Sequence, residues 1–248
     1  ELAHRIWDRL TFEDGEEIVI CCLWIPFSLA DVSFLETTQS TNDDVLNKRK
    51  NGDHVYAKSQ TKGRGRKGRE WITNPGSYCG SWLLVNFKHL NPGTLQLAAA
   101  LAVVNTIKND KISIKWPNDI MLDNRKLAGI LVESVSKGKV SKIALGIGLN
   151  IVSKENTLEM AFLDEISNLD IHGINNSLNK NLASMVEISD NLPPIMKEEI
   201  ISDVFRFMKK YRRPFFMGKI YDEFSLNERG ELVLGGNEIS DLDQIEWV

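Results

Sequence analysis

Cysteine and histidine are scarce in this chain, with three and four residues among 248. Cys21 and Cys22 are adjacent and Cys79 stands in a strand-like apolar run, which provides neither a disulfide framework nor thiolate metal-ligand spacing. A reducing cytoplasm is the setting such thiols fit. His4, His54, His89 and His172 are scattered, and no serine or cysteine stands in a pattern with them that would make a covalent nucleophile. An excess of positive charge is also missing. Thirty basic against thirty-four acidic residues leave a net charge of −4, so the field of the whole protein does not draw in nucleic acid. No apolar run is long enough for a bilayer-spanning helix. The run 18–30 contains Pro26, and Glu13, Asp14, Glu16 and Glu17 stand where an export signal carries basic residues. It reads as a buried strand or docking segment. Internal repeats and low-complexity tracts are absent, and 42% hydrophobic residues suffice for one sizeable core and a small appendage.

What is present is concentrated. Gln60-Thr-Lys-Gly-Arg-Gly-Arg-Lys-Gly-Arg-Glu-Trp71 packs four cations and three glycines into residues 63–69. Glycine permits positive φ and lets backbone N–H groups approach a ligand closely, while arginine brings forked donors for phosphate or carboxylate oxygens. Alone, the segment reads as a small-molecule phosphate site as readily as it reads as a solvated basic loop or an Arg/Gly nucleic-acid tract, those two taken together. Four crowded cations repel one another, so the loop is expected to be unsettled until an anion sits among them. A second cluster follows, Lys115-Trp-Pro-Asn-Asp119 and then Arg125-Lys-Leu-Ala-Gly-Ile-Leu-Val-Glu133.

Coarse structure can be placed around these clusters. Ser40 or Thr41 caps a helix with Asp43 and Asp44 in its first turn and Lys48, Arg49 and Lys50 in its last, before Gly52. Strands are expected at 54–60, 78–87 and 112–116, and a hairpin of 120–122 with 127–133 turns at Asp123-Asn124, with a further turn at Lys137-Gly138. Leu97, Leu101 and Val104 recur at helical spacing in the run 94–109. From 143 to 151, large apolar residues alternate with Ala144, Gly146, Gly148 and Asn150, so one strand face is core and the other nearly bare. That bare face leaves room for a flat ligand or for a closely packed helix. Helices at 178–186 and 195–211 precede a change of texture at Pro214 to short strands and glycine turns.

Gln39-Ser-Thr-Asn42, the basic loop, both halves of the second cluster and Gly146-Ile-Gly-Leu-Asn150 occur in the order and at roughly the spacing of the biotin protein ligase family. The chain resembles that family over about residues 32–248. The resemblance implies an α+β fold: a mixed β-sheet with flanking helices, like a class II synthetase core, followed by a reduced C-terminal β-barrel. It divides the chain into an N-terminal extension of open role at 1–31, a biotin/ATP-binding catalytic domain at 32–211 and the barrel at 212–248. The implied activity is ATP-dependent biotin ligation through biotinyl-5′-AMP to the target lysine of a biotin carboxyl carrier domain of a carboxylase. Biotin and ATP are its substrates, and Mg²⁺ accompanies ATP.

Carried over residue by residue, the resemblance makes Arg66, Lys115 and Lys126 catalytic. It assigns Ser40, Thr41, Asn42, Gln60, Arg64, Gly65, Arg66, Lys126 and Gly129 to biotin. Arg64, Arg66, Lys67, Arg69, Trp71, Asn118, Asp119, Lys126 and Asn150 fall to ATP or the adenylate, with Asp119 the candidate Mg²⁺ contact and no other metal ligand. In that assignment Arg64 lies along the biotin carboxylate, and Arg66 helps retain the adenylate. The alternative for Ser40 and Thr41 is a plain helix cap, which can share one turn with a ligand contact, and the lesser reading of Asn118 and Asp119 is turn chemistry after Pro117. Two rivals remain. A lipoate ligase shares the architecture, but its Arg-Arg-x-x-Gly-Gly-Gly segment is absent; an Arg/Gly nucleic-acid binder would need basic and aromatic residues elsewhere on the same surface. Some biotin ligases also read DNA through an N-terminal winged-helix domain, for which residues 1–31 are too few. Specific DNA binding and membrane association are therefore not expected, and a homodimer is compatible with the family.

Overall fold

The computed structural model of this protein describes residues 8–11, 17–20, 30–73, 76–85, 91–137, 140–153, 159–186 and 198–248. An antiparallel pair, β1 (Asp8–Thr11) and β2 (Glu17–Ile20), precedes the main sheet. That sheet has seven strands: β3 (Val32–Thr38), β4 (His54–Gln60), β5 (Tyr78–Val85), β6 (Ile112–Lys115), β7 (Asp119–Leu122), β8 (Arg125–Lys137) and β9 (Val140–Leu149). They lie in the order β3-β4-β5-β9-β8-β7-β6, with β3 and β4 parallel and every other neighbour antiparallel. The expected mixed sheet is thus present. Its centre is covered on both faces, and Tyr78, Trp82, Leu83 and Leu84 of β5 are all buried.

Helix α2 (Pro92–Ile107) is capped by the Asn91 side chain, which accepts from Gly93 N at 2.8 Å, and opens with proline where no backbone donor is needed. Apolar residues surround nearly its whole circumference, because the sheet lies on one side and α3 (Ile171–Val186) and α4 (Glu198–Met208) on the other. On the opposite face of the sheet α1 (Thr41–Leu46) packs against β5 and β9.

Several expectations need correction. Helix α1 ends at Leu46 with Asn47 as its cap, so Lys48, Arg49 and Lys50 follow the helix rather than forming its last turn. Lys48 instead pairs with Asp31 at 2.5 Å, and the backbone N–H groups of Arg49 and Lys50 donate to Asp53. Helix α3 begins at Ile171, well before the expected 178, because Asp170 accepts from Gly173 N at 2.7 Å and starts a turn that His172, Gly173 and Asn175 hide from an apolar-periodicity reading. The helix expected over 195–211 spans Glu198–Met208. The apolar stretch beyond Ile20, the end of the 78–87 strand and Gly138 of the second turn lie outside the described residues.

The C-terminal module consists of two three-stranded antiparallel sheets: β10 (Pro214–Phe216) with β11 (Lys219–Ile220) and β15 (Glu246–Trp247), and β12 (Ser225–Leu226) with β13 (Leu232–Leu234) and β14 (Asn237–Ile239). They share no strand, so the expected barrel does not close into one ladder. Leu226, Leu232, Ile239 and Trp247 nevertheless join the same apolar core as α2 and α4, and Trp116 Nε1 donates to the Gly230 carbonyl at 2.9 Å.

Under β4, His54 sits between the Ser81 carbonyl and the Asn175 side chain and stacks on Trp82, with ring centres 4.2 Å apart. Burial pushes its pKa from 6.5 down to about 4, against the hydrogen bonds to Asn175 and Ser81 that favour the charged ring. The folded state therefore holds this imidazole neutral, and its contribution is present above pH 6.5 and lost as the pH falls from 6.5 towards 4. The loss should reach roughly 3 kcal/mol below the folded pKa. Denaturant midpoints measured across that range should show the slope in the native protein and a clearly smaller one in His54→Gln; equal slopes would remove His54 from the account.

Candidate active site

Alternation along β9 turns Ile143, Leu145, Ile147 and Leu149 into the core and leaves Gly146 and Gly148 on the face under α1 and the basic loop. Both glycines are needed there. A Cβ on Gly148 would stand 2.4 Å from the Trp71 ring, and one on Gly146 would stand 2.5 Å from Asn42 Oδ1. Gly129 of β8, paired with Gly148, has the same ring 3.1 Å from its would-be Cβ. The flat group seated on this floor is thus the protein's own indole, and the start of a helix covers Gly146. A cavity remains beside them, walled by α1, the basic loop, β7, β8 and β9, with Leu242 and Asp243 of the C-terminal module at its rim.

At one end are the residues that begin α1. Ser40 caps the helix through a 3.4 Å bond from Asp43 N. Thr41 donates its backbone N–H and its hydroxyl to Gln60 Oε1, at 2.8 and 3.0 Å. Ser81 Oγ lies 2.7 Å from Thr41 Oγ1 and 2.6 Å from Asn42 Oδ1. The result is a buried polar cluster anchored on three elements, with Ser40, Thr41, Asn42 and Gln60 all on the cavity wall. Cys79 forms part of the same wall, its thiol pushed up to about 12 by burial, so it serves as apolar lining rather than as a nucleophile.

At the other end stands Lys126. Its Nζ lies 2.7 Å from Asp119 Oδ1 and 5.4 Å above the Trp71 ring. Strict alternation along β8 would put residues 126 and 129 on opposite faces. The register shift between Ile120 and Met121 inserts one extra residue opposite β7, and Lys126 and Gly129 thereby reach the same cavity. Asn150 secures the bulge from behind: its Nδ2 donates to the carbonyls of Lys126 and Ala161 at 3.1 and 3.3 Å. Asn118 is held by Nδ2 on the Ile130 carbonyl at 2.9 Å.

Arg64, Lys67 and Arg69 of the basic loop each meet carboxylates of the protein. Arg64 donates to Asp43 at 2.7 and 2.8 Å and to Glu133 at 3.1 and 3.2 Å, which takes four of its five N–H groups. Glu133 is itself tied to Asn42 Nδ2 at 2.7 Å. The Arg64 bond holds the Asp43 carboxyl below the usual range, and both acids raise the guanidinium pKa. Lys67 lies 2.9 Å from Asp241 and 2.5 Å from Asp243, and Arg69 lies 3.6 Å from Asp243. The loop is closed on itself by Gly65 N to the Arg69 carbonyl at 2.7 Å and Trp71 N to the Gly63 carbonyl at 3.0 Å. The expectation of a self-repelling loop waiting for an anion is therefore corrected, since acids brought from α1, β8 and the C-terminal module supply the counter-charge. Arg66 alone of the four loop cations has no ion pair among the described residues.

The structure thus brings Ser40, Thr41, Asn42, Gln60, Arg64, Gly65, Arg66, Lys67, Arg69, Trp71, Asn118, Asp119, Lys126 and Gly129 to one cavity. It leaves Lys115 and Asn150 off the wall. Lys115 pairs with Asp119 in the β6–β7 ladder, and Asn150 works on the backbone behind Lys126. Sequence reasoning did not single out Asp43 and Glu133 as Arg64 partners, nor Asp241 and Asp243 as partners of the loop. Glu133 ends a recognised motif, with side-chain direction as the available signal; the acidic pair lies 174 and 176 residues from Lys67 in sequence and had none. Among the described residues no group of three or more His, Cys, Asp or Glu side chains is arranged to hold a metal ion, and no helix is long and apolar enough to cross a membrane.

Residues 32–150 match the biotin/lipoate A/B protein ligase family. The bifunctional ligase/repressor BirA of Escherichia coli is 36% identical over 135 residues, covering 50% of this chain and 41% of that protein. The biotin--[acetyl-CoA-carboxylase] ligase of Paracoccus denitrificans is 37% identical over 127 residues, 47% of this chain and 53% of that one. The matched regions thus span about half or less of these curated relatives. In three dimensions the biotin protein ligase from Aquifex aeolicus, solved with biotin and ATP, aligns over 88% of this chain and 95% of its own with a TM-score of 0.68 at 26% identity.

Proposed function

We propose that this chain, whose residues 32–150 form a domain of the biotin/lipoate A/B protein ligase family on the fold of a biotin protein ligase core, is an ATP-dependent biotin protein ligase. It makes biotinyl-5′-AMP and passes the biotinyl group to the target lysine of a biotin carboxyl carrier domain. The observation that carries this reading is a single cavity with a hydrogen-bonding cluster at one end and Lys126 on Trp71 at the other. A buried ureido ring needs donors and acceptors at its edge, and an acyl adenylate needs positive charge at its carboxyl–phosphate junction.

Two anions, a carboxylate and the α-phosphate of ATP, must first be brought together, so cations have to be in place beforehand. Lys126 and Arg66 fill that role. Lys126 is aimed into the cavity by the bulge, and Arg66 makes no ion pair among the described residues. Arg64 acts mainly as a tie between α1 and β8, with one N–H left to offer. Asp119 fits a single Mg²⁺ contact of the kind that ATP-bound Mg²⁺ accepts, one carboxylate beside phosphates and water, and that ion would neutralise phosphate charge. In the second half-reaction the carrier amine attacks the acyl carbon and AMP leaves with the bonding pair.

Incubation with a purified carrier domain, ATP, Mg²⁺ and biotin should add one biotinyl group to a single lysine by mass, with pyrophosphate released. A parallel arm with lipoic acid separates the other branch of the family. Lipoyl transfer without biotinyl transfer, or neither with folded protein, would overturn the assignment.

A further inference from the structure

We propose that Asp241 and Asp243 of the C-terminal module are positioning residues for the nucleotide end of the cavity, acting through Lys67 and Arg69 to hold the glycine-rich loop closed. The inference rests on the reading of that cavity as a nucleotide site. Lys67 Nζ is gripped by both carboxylates, at 2.9 Å to each oxygen of Asp241 and 2.5 Å to Asp243, and Arg69 adds a contact to Asp243 at 3.6 Å. The acidic residues are themselves fixed. Asp241 caps the turn Leu242–Gln244 by accepting from Asp243 N at 3.2 Å, and Leu242 between them packs on the apolar core and reaches the cavity rim. The loop meets this anchor with Lys67 in the left-handed region at φ 55°. A left-handed lysine persists only where its surroundings over-determine it.

Two effects of these acids oppose each other. Their negative charge sits near the place the phosphates would occupy and competes for the same cations. Against this, a free loop with three glycines in seven residues would lose much backbone freedom on closing over a nucleotide. The carboxylates are roughly half-exposed and their repulsion is screened, whereas the loss of chain freedom is not. Preorganisation therefore wins, and the C-terminal module contributes to nucleotide binding without contributing a cation.

Asp241→Asn/Asp243→Asn keeps the side-chain shapes and removes the charge. The variant is expected to raise the KM for ATP in pyrophosphate release by about three- to tenfold, the effect of losing one or two screened pairs, with kcat and the KM for biotin unchanged. Asp241→Glu/Asp243→Glu should restore most of the ATP KM. In ligand-free protein the neutral variant should be cut faster by trypsin at Arg64 to Arg69, while cutting near the termini proceeds as before. That digest requires no enzymatic activity, so it tests the clasp even if the wild type releases no pyrophosphate, a result that would instead sink the functional reading. An unchanged or lowered ATP KM, or loop cutting no faster than in the wild type, would overturn the proposal.

Discussion

Lys126→Ala should release pyrophosphate at one-tenth to one-hundredth of the wild-type rate with biotin and ATP. Lys126 is the cation that the bulge in β8 delivers to the cavity, and charge-assisted contacts of this kind are worth roughly 1.5–3 kcal/mol. Truncation also strands a carboxylate. Asp119 is only 14% exposed and has Lys126 as its ion-pair partner, and among the described residues its Oδ1 has no other hydrogen bond to fall back on. An unpaired, partly buried Asp119 would repel an incoming phosphate. Lys126→Met keeps the aliphatic stem beside Trp71 and removes the charge, so an equal loss there distinguishes an electrostatic defect from a packing one. Either variant as active as the wild type in a folded protein would remove Lys126 from the chemistry.

Gly148→Ala should impair the same reaction with a single added methyl. The Cβ would arrive 2.4 Å from the indole of Trp71, closer than atoms tolerate, while the strand itself accepts alanine without strain. Something must move, and Trp71 is the part that can, since it lies at the end of a loop whereas β9 is hydrogen-bonded on both sides. Overpacking of this kind costs about 1–3 kcal/mol, which here appears as lost ligand affinity, because the displaced ring also carries the Lys126 ammonium. The expected readout is a rise of about five- to a hundredfold in the KM for ATP, with a modest fall in Tm. An unchanged KM would show that the ring's seat on Gly148 is irrelevant to binding.

The alternation along β9, the apolar spacing that marks α2, the Ser40 cap and the Asp123-Asn124 hairpin were all legible in the sequence, because each is set by neighbours a few residues away. Asp123 and Asn124 do take positive φ, as a tight two-residue turn requires. Helix α3 shows the limit. Its first turn is polar and glycine-containing, and it is helical because Asp170 caps it and Asn175 is drawn under the sheet to His54 and Tyr78. No local periodicity reports that.

The site divides along the same line. Sequence determined by itself which residues the cavity needs: small ones under the ring, hydroxyls and amides at the α1 cap, and cations in a glycine-rich loop, since these are requirements of size, hydrogen-bonding capacity and charge that residue type expresses directly. Tertiary structure decided which of the cations are free. Whether an arginine faces a ligand or a carboxylate depends on what the fold sets opposite it. For Arg64 that is Asp43 and Glu133 of two other elements, and for Lys67 it is a turn near the C-terminus. Folding also placed Lys126 beside Gly129, because one extra residue in a strand reverses which face follows, and that insertion exists only in the pairing of β7 with β8.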